Sequence, residues 1–236
     1  LSADILATKD GVNNLLIGAY GMVDGVSSSG FGWEAASSNW VYGSIRGMEA
    51  NKGTDSGHQP DINPIQTYSE SSTNPYLNEK WRSVYEGVSR CNQALNVLAV
   101  AEANGTVTAD EATSFRLQAQ TLRGYYHFEA WRMWTKIPYV DETTDLTTVT
   151  NTEDVTDKIL ADLQAGTALP NNMDQIGRFN GTVARVLYAK ALMQMKGDYA
   201  KAKVELQEVV DNGTAPDGSA IGLEAKYGDI FDAANR

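Results

Sequence analysis

Between Phe115 and Pro138 the chain carries the pattern that most limits its fold. Phe115, Ala119, Leu122, Tyr126, Ala130 and Met133 recur at separations of four, three, four, four and three residues. That spacing draws one continuous apolar stripe along a long helix. Tyr125, Phe128 and Trp131 widen the stripe onto a neighbouring face, so other helices must cover much of the circumference. The pattern predicts a central helix of an all-α protein, closed by Trp134 and the pair Ile137-Pro138.

The same period appears elsewhere. Val12, Leu15, Leu16, Ala19 and Tyr20 predict a first helix from about Thr8 to Val23. Leu77, Trp81, Val84, Tyr85, Val88, Cys91, Leu95 and Leu98 predict a long one between Asn74 and Ala103, roughly 40 Å at ~1.5 Å per residue. Asn104-Gly105 ends it, and Thr108 with Glu111 reads as a capping box opening the next. A connection this short favours an antiparallel pair over 76–135. Thr152 and Asp154 precede an amphipathic segment with Val155, Ile159, Leu160 and Leu163. A helix hairpin over 182–212 follows, with Ala184, Leu187, Tyr188, Ala191 and Met195 on one arm and Tyr199, Ala202, Leu206, Val209 and Val210 on the other. Gly197-Asp198 turns between the arms. Hairpins of this size resemble tetratricopeptide repeats, matched here by Gly197, Tyr199 and Ala202.

The period fails between residues 24 and 75. This stretch is rich in Gly, Ser, Asn and Asp and contains Pro60 and Pro64, so it reads as a loop-rich insertion. A short helix is expected over Trp33 to Met48.

A chain of 236 residues can bury about 70 to 75% of its unfolded surface. Its net charge of -11 opposes binding to nucleic acid and to anionic lipid headgroups. One cysteine, Cys91, allows neither an intrachain disulfide nor a multi-cysteine metal site. No run approaches the ~18 apolar residues that span a bilayer.

Four segments in order carry a sharper signal. They are Trp81-x-x-x-Tyr85-x-x-Val88-x-x-Cys91-Asn92-x-x-Leu95; Leu122-Arg123-Gly124-Tyr125-Tyr126-His127-Phe128 with Ile137-Pro138; Gly177-Arg178-Phe179-Asn180-Gly181-Thr182-Val183-Ala184-Arg185 with Ala189-Lys190-Ala191-Leu192; and Gly197-Asp198-Tyr199-Ala200-Lys201-Ala202. In this order and spacing the set resembles the amino-terminal half of the SusD/RagB family of surface glycan-binding lipoproteins. Asp10-Gly11-Val12 through Gly18-Ala19-Tyr20 is similar to that family's opening helix, and Tyr227-Gly228-Asp229-Ile230-Phe231 to the motif after its repeat. Where family members usually place Gly before the hydrophobic-Pro pair, this chain has Thr135-Lys136. The resemblance implies an all-α, tetratricopeptide-like fold forming the amino-terminal portion of a longer domain, with the carboxy-terminal portion beyond Arg236. It also implies a lipid-bearing cysteine upstream of Leu1, a place on the outer face of the outer membrane, and work beside a SusC-like TonB-dependent transporter.

Catalysis has no positive support. Glycoside hydrolysis needs two carboxylates roughly 5 to 10 Å apart, and the pairs Glu34 with Glu49 or Asp141 with Glu142 read as solvated surface. His127 lies among aromatic residues as a packing group, and His58 with Asp55 and Asp61 fits no calcium spacing. No cofactor or metal is expected. Three Asn-Gly-Thr triplets, at Asn104, Asn180 and Asn212, read as helix-boundary turns.

Binding is better supported. Sugar faces stack on Trp and Tyr rings, while their hydroxyl rims need amide, carboxylate and guanidinium partners. The loop offers that mixture in Trp33, Trp40, Tyr42, Arg46, Tyr68, Asn74 and Tyr76, chosen from composition and placement. Trp81, Tyr85, Tyr126, Phe128 and Trp131 lie on helical stripes and are assigned to the core. The expectation is a non-enzymatic protein that binds oligo- or polysaccharide and delivers it to a transporter. The competing reading is a helical-repeat protein-protein interaction scaffold, which leaves the aromatic loop unexplained.

Overall fold

The computed structural model describes residues 3–24, 39–53 and 55–232. Its long elements are helices: α1 (Ala3–Leu6), α2 (Lys9–Gly21), α3 (Ile62–Gln66), α4 (Pro75–Ala103), α5 (Ala109–Trp134), α6 (Thr156–Ala165), α7 (Gly181–Ala191) and α8 (Tyr199–Asn212). Among the described residues the only β feature is an isolated bridge between Thr214 and Ala220. The chain divides into two compact units, Leu1–Ala165 and Gly166–Arg236.

In the first unit α4 and α5 form the expected antiparallel pair, with α2 across both and α6 against α5. Their ends are set by local chemistry. Asn74 caps α4 by accepting the Tyr76 N–H, with Pro75 at the first helical position. Thr108 and Glu111 complete the capping box of α5. Val12 and Ala7 pack with Val97, Leu98, Ala101 and Ala112 in one buried cluster. Burial on α5 extends beyond its apolar stripe: residues 118, 119, 121–124 and 126–130 are all buried, whereas Phe115 and Met133 are half-buried. Gly124 explains how α6 comes so close, since a Cβ there would lie 2.9 Å from the Asp162 Cβ and 3.0 Å from the Leu163 nitrogen.

Polar groups fasten this packing. Arg123 on α5 donates to both carboxylate oxygens of Asp162 on α6, at 2.8 and 2.7 Å. It also donates to Asn92 on α4 at 3.1 Å and pairs with Glu142. Asn92 in turn donates to the Val140 carbonyl at 3.2 Å, and Tyr85 to the Pro138 carbonyl at 2.7 Å. His127 accepts the Val140 N–H at its Nε2, 3.1 Å away, while its Nδ1 lies 3.1 Å from the Arg123 carbonyl. The segment after α5 is therefore tied to α4 and α5 by these side chains, and to α6 by the Tyr139 hydroxyl, which donates to Asp162 at 2.8 Å. Burial, with the Arg123 charge beside it, pulls the His127 pKa down to about 3, so the ring is neutral.

The segment from residue 39 to 74 is more ordered than its composition suggests. Val41–Ile45 winds as a single π-helical turn and α3 follows. In place of the helix expected over Trp33 to Met48, the described part holds only that turn; residues 33–38 lie outside the described residues. Five residues from this segment, Val41, Tyr42, Ile45, Ile62 and Ile65, form a second buried cluster with Tyr76, and Trp40, Leu77 and Met133 pack against it. Here long-range burial, rather than helical propensity, shapes a loop.

In the second unit α7 and α8 form a hairpin through a π-helical turn at Leu192–Lys196 and Gly197, whose φ of +66° suits glycine. Asn180 caps α7 by accepting the Val183 N–H and donates to the carbonyls of Asn171 and Thr214, at 2.7 and 2.9 Å. All three Asn-Gly-Thr triplets fall at helix boundaries: Asn104 and Asn180 are caps and Asn212 ends α8. The stripe expected on α8 is buried only at Ala202, and Tyr199, Val204 and Val210 are exposed. Among the described residues no helix is long and apolar enough to cross a membrane.

Candidate functional site

The second buried cluster carries a small outward-facing surface. Tyr68 follows α3 with a φ of +58° and is 51% exposed. Its hydroxyl donates to the Arg46 carbonyl, which holds the ring beside the end of the π-helical turn. The Arg46 guanidinium lies 4.8 Å from the centre of that ring and pairs with Glu70. Met48 is 78% exposed, also at positive φ. Together they offer an aromatic platform held in place by a cation, with a carboxylate beside it. Such a surface can take the apolar face of a sugar on the ring and its hydroxyls on Arg46, which the largely buried Glu70 holds from beneath.

The other residues expected at the site have different places. Trp33 lies outside the described residues. Trp40 is half-buried against the second cluster, and Tyr42 is 8% exposed inside it. Asn74 and Tyr76 are buried: Asn74 caps α4 and donates to the Asp61 carbonyl at 2.8 Å, and Tyr76 donates to Gln59 at 2.7 Å. These two tie the loop to the helix that follows it. The structure thus brings Arg46 and Tyr68 together at the surface and sets Tyr42, Asn74 and Tyr76 beneath as support.

Carboxylates noted in the sequence have local duties. Asp141 accepts from Thr143 and Thr144, and Glu142 pairs with Arg123. Asp55 accepts the N–H groups of Gly57 and His58.

Residues 31–192 match the SusD-like family described as "starch-binding associating with outer membrane". The chain belongs to the SusD-like family. Among curated relatives, the SusD-like protein P2 of Formosa agariphila is 27% identical over 198 residues, covering 80% of this chain and 37% of the relative. Surface glycan-binding protein A from Bacteroides thetaiotaomicron, solved with laminarihexaose, superposes with a TM-score of 0.74 at 20% identity, over 97% of this chain and 47% of that one. A laminarin-binding SusD-like protein superposes with a TM-score of 0.78 at 21% identity, over 97% and 49%. The chain spans less than half the length of these relatives.

In this SusD-like chain the family motifs build the scaffold. Asn92, Arg123 and His127, with the backbone at Pro138 and Val140, converge on the polar cluster that fastens α4, α5 and α6. Asn180 performs the same task in the second unit. The exposed surface lies instead on the irregular segment, where Glu70 and Met48 join it without having been marked by the sequence. Opposite charges separated by 24 residues, as Arg46 and Glu70 are, leave no periodic trace; proline, glycine and aromatic density were the only pointers to the region.

Proposed function

We propose that this chain is the amino-terminal portion of a non-catalytic surface glycan-binding protein, and that Tyr68 and Arg46 form part of its sugar-contacting surface. The observation that carries the reading is the Tyr68 ring, half in solvent and fixed by Arg46, on a loop anchored by its own buried cluster. Trp40, half-buried beside the same cluster, and Trp33, which lies outside the described residues, are proposed as further platforms. Support comes from the family's description, which concerns starch binding and association with the outer membrane, and from the laminarihexaose complex of the Bacteroides protein. A neutral glucan suits a chain with a net charge of -11, which would repel acidic polysaccharides.

In this account the protein is a lipid-anchored component of the outer membrane's outer face. It holds an oligosaccharide and passes it to a SusC-like TonB-dependent transporter, and separate hydrolases cleave the polymer. Titration calorimetry against laminarihexaose, maltohexaose and a panel of neutral polysaccharides tests the first step. Saturable binding to at least one neutral glucan is expected, with no reducing ends released. A panel with no binder would sink the proposal, as would release of reducing sugar by the purified protein.

A further inference from the structure

A concavity of the first unit lies away from the aromatic loop. It is a trough of about 730 Å³ between the outer face of α4 and the segment 140–146, with Leu6 of α1 at one wall. Its floor follows α4 from Tyr85 to Val97, about 18 Å at ~1.5 Å per residue. Along that floor Ser89, Gln93 and Asn96 are exposed, and their side chains hydrogen-bond to nothing among the described residues. Leu6 and Leu146 supply apolar wall, and Leu146 is 70% exposed. Asp141 and Glu142 line the far side, and among the described residues no Lys or Arg lines the trough.

Preorganisation distinguishes this trough from a casual surface groove. The far wall is held by Tyr85 on the Pro138 carbonyl, Asn92 on the Val140 carbonyl and His127 on the Val140 N–H. Arg123, buried among these groups, adds its pair with Glu142. A wall fixed by so many buried partners keeps its shape without a ligand, which lowers the ordering cost of binding one.

We propose that the trough binds an extended polypeptide segment of a partner protein, neutral or basic in charge and alternating apolar with polar side chains. The floor accommodates about five or six extended residues at ~3.3 Å each. Ser89 and Gln93 stand four residues apart on α4, a rise of ~6 Å. That is close to the two-residue repeat of a strand, whose N–H and C=O groups on one edge recur every ~6.6 Å. Side-chain hydroxyl and amide groups at this interval can pair with successive backbone groups, while Leu6 and Leu146 receive alternate side chains. The Asp141 and Glu142 carboxylates disfavour an acidic segment. A glycan fits less well, because among the described residues Tyr85 is the sole aromatic of the lining and its ring is already against Trp81, 4.5 Å between centroids.

The test is fluorescence polarisation with a labelled peptide of alternating Val and Thr flanked by lysines, beside a version flanked by glutamates. Backbone amide NMR shifts of the protein locate the site. The lysine peptide is expected to bind saturably and to shift amides around Ser89, Gln93, Asn96 and Val140. The Gln93→Ala/Asn96→Ala double variant should keep its thermal midpoint, because both side chains are exposed, and lose roughly tenfold in affinity. Four outcomes would overturn the proposal: no saturable binding, equal binding of the glutamate peptide, unchanged affinity in the double variant, or shifts at these amides caused by a glucan oligosaccharide and not by the peptide. Because neither substitution touches Tyr68 or Arg46, glucan binding by the double variant separates this proposal from the reading of the aromatic loop.

Discussion

The Arg123 guanidinium meets the Asp162 carboxylate in a two-point pair, Nε to Oδ2 at 2.8 Å and the other terminal nitrogen to Oδ1 at 2.7 Å, with both side chains about 95% out of solvent. Burial works against the charge on Arg123, but the hydrogen bonds and charge of Asp162 outweigh it and hold the guanidinium protonated. Removing Asp162 leaves the buried guanidinium with only the partly exposed Glu142 as a counter-charge. Asp162→Asn should therefore cost about 3–5 kcal/mol of unfolding free energy, read from urea midpoints at constant slope. An Arg123→Met/Asp162→Leu double variant should recover much of that loss. A loss under about 1 kcal/mol for Asp162→Asn would show that the pair is not what joins α5 to α6.

His127 gives the fold an acid limit. Its pKa is lowered from 6.5 to about 3 by burial, so the unfolded chain takes up the proton first as pH falls. The stability tied to the neutral ring is complete above pH ~6.5 and declines by roughly 1.4 kcal/mol per pH unit until the folded-state pKa is passed. Denaturation curves between pH 7 and 4 should show this slope, and it should flatten in His127→Gln. An unchanged slope in that variant would assign the acid sensitivity to other groups.

Thr135 ends α5 with a φ of +58°, a conformation that is strained for a β-branched residue. A glycine at position 135 would relieve the strain. Thr135→Gly is expected to stabilise the chain by about 1 kcal/mol, seen as a raised thermal midpoint. A lowered midpoint would mean that contacts of the threonine side chain outweigh the backbone.

Helices α4 and α5 were legible because a 3.6-residue period over many turns has few other solutions, and because Asn74-Pro75 and Thr108/Glu111 mark the starts by local hydrogen bonding. The π-helical turn at Val41–Ile45 and the short α3 were not. They form because Ile45, Ile62 and Ile65 find a shared interior with Tyr76, and residues so far apart in sequence set up no period. Arg123 looked like part of a motif, but its partners Asn92, Glu142 and Asp162 lie 31, 19 and 39 residues away. At the candidate site, aromatic density marked the right segment without separating the exposed Tyr68 from the buried Tyr42 and Tyr76. Exposure depends on which way a loop turns, which composition does not encode.

Calorimetric titration of Tyr68→Ala with the tightest neutral glucan of the panel tests the central claim most directly. Tyr68 is 51% exposed and outside the buried cluster, so its loss should leave the thermal midpoint nearly unchanged. Affinity should fall about tenfold, or ~1.4 kcal/mol, with a smaller fall for Arg46→Ala. Glucan affinity equal to that of the unsubstituted chain would contradict the assignment of this surface.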